Sequence, residues 1–168
     1  MIAIEKALPE HVSGISDVCS KGYRHTYKET HSTEYIERMV REFYNQDRIL
    51  NEVKHTSREW NGWFVALDEN KVVGAIGGGM TGLEKAEVFV LYLDPSRKRE
   101  RIGSRLLNEL TNEQVQRGAS EQWVSVSKGN LKGIPFYEAV GFTAQSEQES
   151  YQNLEEEAYK SIRYRRSL

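Results

Sequence analysis

The chain has 168 residues, 23 Lys and Arg against 25 Asp and Glu, a formal net charge of −2, and 38% hydrophobic residues. That length can bury a core without staples and predicts one soluble globular domain spanning residues 1–168. The charge balance argues against a dedicated nucleic-acid binder, which carries a strong basic excess. A single cysteine, Cys19, leaves no intramolecular disulfide and no multi-cysteine zinc site. The apolar stretches 72–76 and 88–93 are too short to span a bilayer, so no membrane partner is expected. The opening residues, with Glu5 and no long apolar run, do not read as a secretory signal. A reducing, cytoplasmic setting is the simplest expectation.

In chain order, residues 2–7 alternate weakly and predict a first strand. Pro9 suits the start of a helix, along which Val12, Ile15, Val18, Cys19 and Tyr23 recur at helical spacing. Ser32 or Thr33 can cap a second helix with Ile36, Met39, Val40 and Phe43 on its apolar face. Helical character resumes or continues through Ile49, Leu50 and Val53. Residues 62–67 and 72–80 then read as a hairpin around the turn residues Asp68 to Lys71. Gly77, Gly78 and Gly79 predict a bulge or a close backbone approach in its second strand. Residues 84–93 form the clearest strand and end at Asp94 and Pro95. A helix through Ile102, Leu106 and Leu110 closes at Gly118. Trp123, Val124 and Val126 mark another strand, and a short helix runs from Asn130 to Gly141. Residues 142–150 and 159–166 read as the last two strands. The order β-α-α-β-β-β-α-β-α-β-β predicts an α/β domain, a mixed central sheet flanked by helices.

Two segments carry chemistry. In the first, a strand ends at Asp94 and Pro95, a basic loop follows, and a helix starts with Gly103 in its first turn. Free backbone N–H groups and the dipole at such a helix start favour phosphate. Five basic residues among the nine from Arg97 to Arg105 are equally the composition of a solvated face. In the second, Asn130, Phe136, Tyr137, Gly141 and Phe142 lie on a short capped helix.

Together these segments resemble the GNAT (GCN5-related N-acetyltransferase) superfamily. Its later helix reads N-x-x-A-x-x-F-Y-x-x-x-G-F, matched here by Asn130, Phe136, Tyr137, Gly141 and Phe142, with Gly133 in place of Ala. Its pyrophosphate loop reads Q/R-x-x-G-x-G/A. Here Lys98 stands for the first residue, Arg101 occupies the first glycine position and Gly103 the second. Tyr23, Tyr27 and the run Glu34, Tyr35, Ile36 also resemble the opening of many small bacterial members.

The resemblance implies acetyl-CoA as co-substrate, lying between the strands 84–93 and 122–127. It places Leu91, Tyr92 and Leu93 at the thioester, where a backbone N–H would hold the developing oxyanion. Lys98, Arg99, Arg101, Ile102, Gly103 and Ser104 would surround the pyrophosphate, and Asn130 the pantetheine arm or a bound water. An Arg at the glycine position leaves two outcomes open: its side chain points outward while its N–H still donates, or coenzyme affinity falls. Tyr137 would face the sulfur. A phenol near pKa ~10 is a weaker acid than a thiol near ~8.5, so hydrogen bonding to the thiolate competes with full protonation.

The resemblance also implies a carboxylate base acting through water; Glu87 is the candidate, with Glu84 behind it. The acceptor, a primary amine on a small molecule or peptide, is expected under the connection between the first two helices. Tyr23 and Tyr27 would bind it, with His25 and His31 close by. No metal is expected. A non-catalytic acyl-CoA-binding sensor or scaffold of the same fold is the alternative. The edge at 159–166 can pair in a homodimer.

Overall fold

The computed structural model describes residues 1–97 and 100–168. Seven strands form one sheet in the order β1-β2-β3-β4-β5-β7-β6. They are β1 (Ile2–Lys6), β2 (Trp63–Asp68), β3 (Lys71–Met80), β4 (Lys85–Leu93), β5 (Glu121–Ser127), β6 (Thr143–Glu149) and β7 (Lys160–Ser167). The helices are α1 (Val12–Tyr27), α2 (Thr33–Phe43), α3 (Gln46–Lys54), α4 (Ile102–Gln116) and α5 (Gly133–Ala139). All pairings are antiparallel except β4 with β5.

The alternation in β2 explains the layering. Trp63, Val65 and Leu67 pack with α1 and α3 residues Ile15, Cys19 and Ile49 on one face. Phe64 and Ala66 pack with α4 residues Leu106 and Leu110 on the other. Because helices cover both faces, every residue from Trp63 to Leu67 is buried, which makes the strand a continuous apolar run. Among the described residues no helix is long and apolar enough to cross a membrane.

Two predicted details differ. Pro9 belongs to a single 3-10 turn, Pro9–His11, and α1 starts only at Val12. The region after α2 is a separate third helix: the chain breaks at Tyr44, and the Asn45 side chain accepts from the Arg48 N–H to start α3. The expected order therefore gains one helix.

The hairpin turn between β2 and β3 is made by Glu69 and Asn70, both with positive φ, +48° and +72°. That two-residue geometry matches strand twist. Further along β3 the glycines admit close neighbours. A Cβ on Gly77 would meet the Trp60 ring at 2.4 Å, and one on Gly79 would meet the Glu59 carbonyl oxygen at 1.8 Å. At the same place the β3–β4 register skips Phe89: Gly77 faces Val90 and Gly78 faces Val88. The expected bulge and the expected close approach both occur, the extra residue lying on β4.

Behind this bulge sits a buried amide network. Gln114 donates to the Glu87 carbonyl at 3.0 Å and to Asn61, while Gln122 donates to Gln114 at 2.8 Å. Arg166 donates to Gln122 and to the Val140 carbonyl, both at 2.9 Å. Arg165 pairs with Glu121, and Arg163 with Glu87. The basic C-terminal strand is thus tied into the sheet it completes.

Candidate active site

The site is built where the parallel seam opens. β4 and β5 pair only from Lys85 opposite Glu121 to Val88 opposite Val124, and Phe89 to Leu93 run on beyond the last pair. The Asp94 N–H bonds back to the Val73 carbonyl, so strand alternation turns the N–H groups of Leu91 and Leu93 away from β3 and toward the gap. The gap is a cleft of about 530 Å³ lined by Leu91, Tyr92, Leu93, Gly103, Asn130 and Tyr137, among others. Six expected residues therefore meet in one cavity.

The α4 end of the cleft suits an anion. Arg101, the N-cap of α4, adopts the left-handed conformation with φ +57° and ψ +26°. It takes the backbone shape that a glycine supplies without strain, and its side chain is exposed. The Arg101 side chain makes no cap hydrogen bond at the helix start, which leaves N–H groups of the first turn for a ligand. Gly103 packs tightly under α5, since a Cβ there would meet the Phe136 ring at 3.3 Å. Ile102 is a core residue, 2% exposed, and lines neither cavity. Ser104 is half-buried. Lys98 and Arg99 lie outside the described residues. Arg97 is taken by two carboxylates, Asp68 at 2.9 Å and Glu100 at 2.7 Å. The turn leading to the loop is held by Asp94, which accepts from the Ser96 N–H and hydroxyl; those bonds keep its carboxyl below the usual range.

Asn130 accepts from the Gly133 N–H at 2.8 Å. A Cβ at position 133 would meet the Asn130 amide at 2.4 Å, so an alanine here would require the Asn130 side chain to shift. Lys132 reaches the His25 Nε2 at 2.8 Å, a contact between α1 and the approach to α5. Tyr137 is 7% exposed, edge-on to Phe136 and Phe142. Burial pushes its phenol above the ordinary value, so the hydroxyl keeps its proton.

A second cavity, about 610 Å³, opens on the other side of the bulge. Tyr27, Tyr44, Phe89, Val90, Tyr92 and Ser125 line both cavities. Its wall is aromatic: the Tyr23 ring lies 4.6 Å from Tyr27, 5.8 Å from Tyr44 and 5.9 Å from Tyr92. Tyr23, Tyr27 and His31 all line it, whereas His25 lines the first cleft. Glu87 also lines it, with both carboxylate oxygens accepting from Arg163, at 2.8 and 3.0 Å. Glu84 is exposed, just before β4, and lines neither cavity.

Sequence reasoning missed Tyr35 and Tyr92 as members of this cavity, and Arg163 as the partner of Glu87. Arg163 lies 76 residues from Glu87, and only the β5–β7 pairing brings it near. The alternation of 160–167 could have shown which face Arg163 takes, but not what stands opposite. No group of three or more His, Cys, Asp or Glu among the described residues could hold a metal ion.

Comparison with known proteins agrees with this geometry. The model of the acetyltransferase (GNAT) family matches residues 21–142. A spermidine N(1)-acetyltransferase of Thermoplasma acidophilum is 30% identical over 142 residues, covering 84% of this chain and 88% of that protein. The ribosomal protein bS18-alanine N-acetyltransferase of Escherichia coli K12 is 29% identical over 85 residues, 51% of this chain and 57% of that one. Among solved structures, the PaiA N-acetyltransferase of Thermoplasma acidophilum in complex with coenzyme A superposes with a TM-score of 0.84 at 25% identity, covering 100% of this chain and 99% of that one. The matched region runs from α1, through the opened seam and the α4 turn, to the end of α5, and the chain belongs to the GNAT family of acetyltransferases.

Proposed function

We propose that this protein transfers an acetyl group from acetyl-CoA to a primary amine, with the coenzyme in the cleft between β4 and β5 and the amine in the tyrosine-lined cavity. The observation that carries this reading is the meeting of the two cavities at the Phe89 bulge, where the β4 backbone turns unpaired N–H groups toward the gap. The residues fit the coenzyme. The start of α4 borders the cleft at Gly103, and Arg101 adopts the left-handed shape that a glycine takes without strain. The coenzyme supplies an acyl group activated as a thioester.

The chain's own residues then divide the work. The N–H groups of Leu91 and Leu93 polarise the acyl oxygen in a site that excludes water. Backbone groups from Arg101 to Ser104 bind phosphate. Asn130 fixes the α5 turn beside the pantetheine path. Tyr137, buried and firmly protonated, donates a hydrogen bond to the departing sulfur. Glu87 keeps one lone pair on each oxygen after Arg163 has taken the other, enough to receive the amine's proton through a water. Tyr23 and Tyr27 present ring faces that attract an ammonium group. A slender amine chain fits this cavity, and the spermidine-acetylating relative supports that choice.

Calorimetric titration with acetyl-CoA, coenzyme A and ADP tests the cleft, followed by thiol release with spermidine, butylamine and a peptide beginning with alanine. Binding of both coenzyme forms and thiol release with an amine are expected. Binding without release for any amine would leave the non-catalytic alternative standing.

A further inference from the structure

The connection between β6 and β7, residues 150–159, reaches across the acceptor cavity and is fastened to α2. Arg38 of α2 grips the Glu157 carboxylate at two points, 2.7 and 3.3 Å, and also donates to the Gln152 carbonyl at 3.1 Å. The Tyr159 hydroxyl accepts from the Ser32 N–H at 2.9 Å. Its ring stacks on His31 with centroids 3.9 Å apart and planes 16° from parallel, and it meets Tyr35 edge-on at 4.6 Å. Within the connection, Glu157 also accepts from the Leu154 N–H at 2.6 Å, and the Ser150 N–H bonds to the Tyr159 carbonyl at 2.9 Å. The segment is therefore a folded flap.

The two ends of this fastening differ in kind. The His31–Tyr159 stack lies beside the cavity, where His31 is a wall residue. The Arg38–Glu157 pair lies outside the wall, while Tyr151 and Gln152, carried on the same flap, line it. The ion pair thus fixes the position of residues that border the opening without touching anything inside.

We propose that the two-point pair between Arg38 and Glu157 latches the flap over the acceptor cavity and so sets the width of amine admitted, favouring an unbranched chain over a peptide terminus. This rests on the reading of that cavity as the acceptor site. Arg38 and Glu157 are positioning residues: they act through Tyr151 and Gln152. A guanidinium and a carboxylate suit the task because the planar fork fixes orientation as well as distance.

The test uses the full chain and the variants Glu157→Gln, Arg38→Met and Arg38→Lys. Chymotrypsin cleavage at Tyr151 and Leu154 under native conditions reads the flap directly. The ratio of kcat/KM for an alanine-starting peptide to kcat/KM for butylamine reads selectivity. In Glu157→Gln and Arg38→Met, cleavage is expected to quicken and the ratio to rise by up to about five-fold, the scale of one partly exposed ion pair. Coenzyme A affinity stays as in the wild type, because the flap does not line the coenzyme cleft. Arg38→Lys, which keeps the charge but loses the fork, falls between. Unchanged cleavage would overturn the latch, and faster cleavage with an unchanged ratio would overturn its role in selectivity. Coenzyme binding with no amine acetylated by the wild type would instead refute the acceptor reading itself, and the proposal with it.

Discussion

Arg101 is the residue at which this chain departs most from its family's loop, and its backbone makes a quantitative test. A non-glycine residue in the left-handed region costs about 1–2 kcal/mol relative to the right-handed one. Arg101 sits at φ +57° with its carbonyl accepting from the Arg105 N–H at 3.1 Å, so the turn must be held for α4 to begin. Arg101→Ala removes the charge and leaves this backbone cost in place. Arg101→Gly removes both, but adds about 0.5–1 kcal/mol of unfolded-state entropy. The glycine variant should therefore be more stable than the alanine variant by roughly 0.5–1 kcal/mol. For a chain of this size that is about 1–4 °C in melting temperature. Differential scanning calorimetry and urea midpoints measure the difference. Both variants lose the same cation, so their coenzyme affinities should fall together. Equal melting temperatures for Gly and Ala would refute the left-handed turn and, with it, the argument that Arg101 replaces glycine without closing the site.

Gly79→Ala should cost about 3 kcal/mol, because its Cβ would lie 1.8 Å from the Glu59 carbonyl oxygen and force apart backbone that the Met80–Arg58 hydrogen bond holds at 2.9 Å. Gly82→Ala, with Lys85 Cβ at 3.3 Å, is its near-neutral control, and comparable urea midpoints for the two would contradict the packing argument. Tyr137→Phe should lower turnover by about 100-fold while sparing coenzyme A binding by calorimetry; wild-type turnover would remove the hydroxyl from the mechanism. Burial lowers the His31 pKa below its ordinary 6.5, more than Glu157 raises it. The folded chain then binds fewer protons there than the unfolded chain, so this contribution is whole above pH ~6.5 and shrinks as pH falls through that range. Urea midpoints at pH 7.5 and 5.5 should differ less in His31→Phe, which retains the stack on Tyr159, than in the wild type. An equal difference would show that His31 does not titrate as its surroundings require.

If the second cavity takes an amine as proposed, its tyrosine wall would supply the attraction while its carboxylates are occupied. Glu87 is bound by Arg163, and Glu52 accepts from Trp63 at 3.0 Å and from Arg48 at 3.2 Å. The acid–base pairs balance one another, leaving ring faces as the main attraction for a cation. Burial raises the phenols of Tyr27, Tyr44 and Tyr92 above their ordinary value, so these rings stay neutral across the working range.

Local chemistry was enough for much of this protein. Apolar stretches on either side of the turn residues 68–71 marked β2 and β3, the glycines at 77–79 announced a close approach, and Gly118 and Gly141 closed their helices with φ near +100°. The α4 turn could be read locally as a place that suits an anion, whereas Asn130 and Tyr137 entered as site residues only through the resemblance of the 130–142 segment to the family's later helix. Whether helical character resumed or continued after α2 was open from the sequence, and the Asn45 cap on the Arg48 N–H settles it as a separate helix. The acceptor half was hidden for a different reason. Glu87 meets Arg163, His31 meets Tyr159 and Arg38 meets Glu157 across 76, 128 and 119 residues of chain. No local preference specifies such contacts. They exist because β7 enters the sheet between β5 and β6, which carries the last connection back over α1 and α2. Sequence by itself determined the strands, the helix caps and the coenzyme-side motif, whose interactions are short-range. Only the folded sheet decided what Glu87 pairs with and what covers the cavity, because those depend on strand order rather than on any residue's own conformational preference.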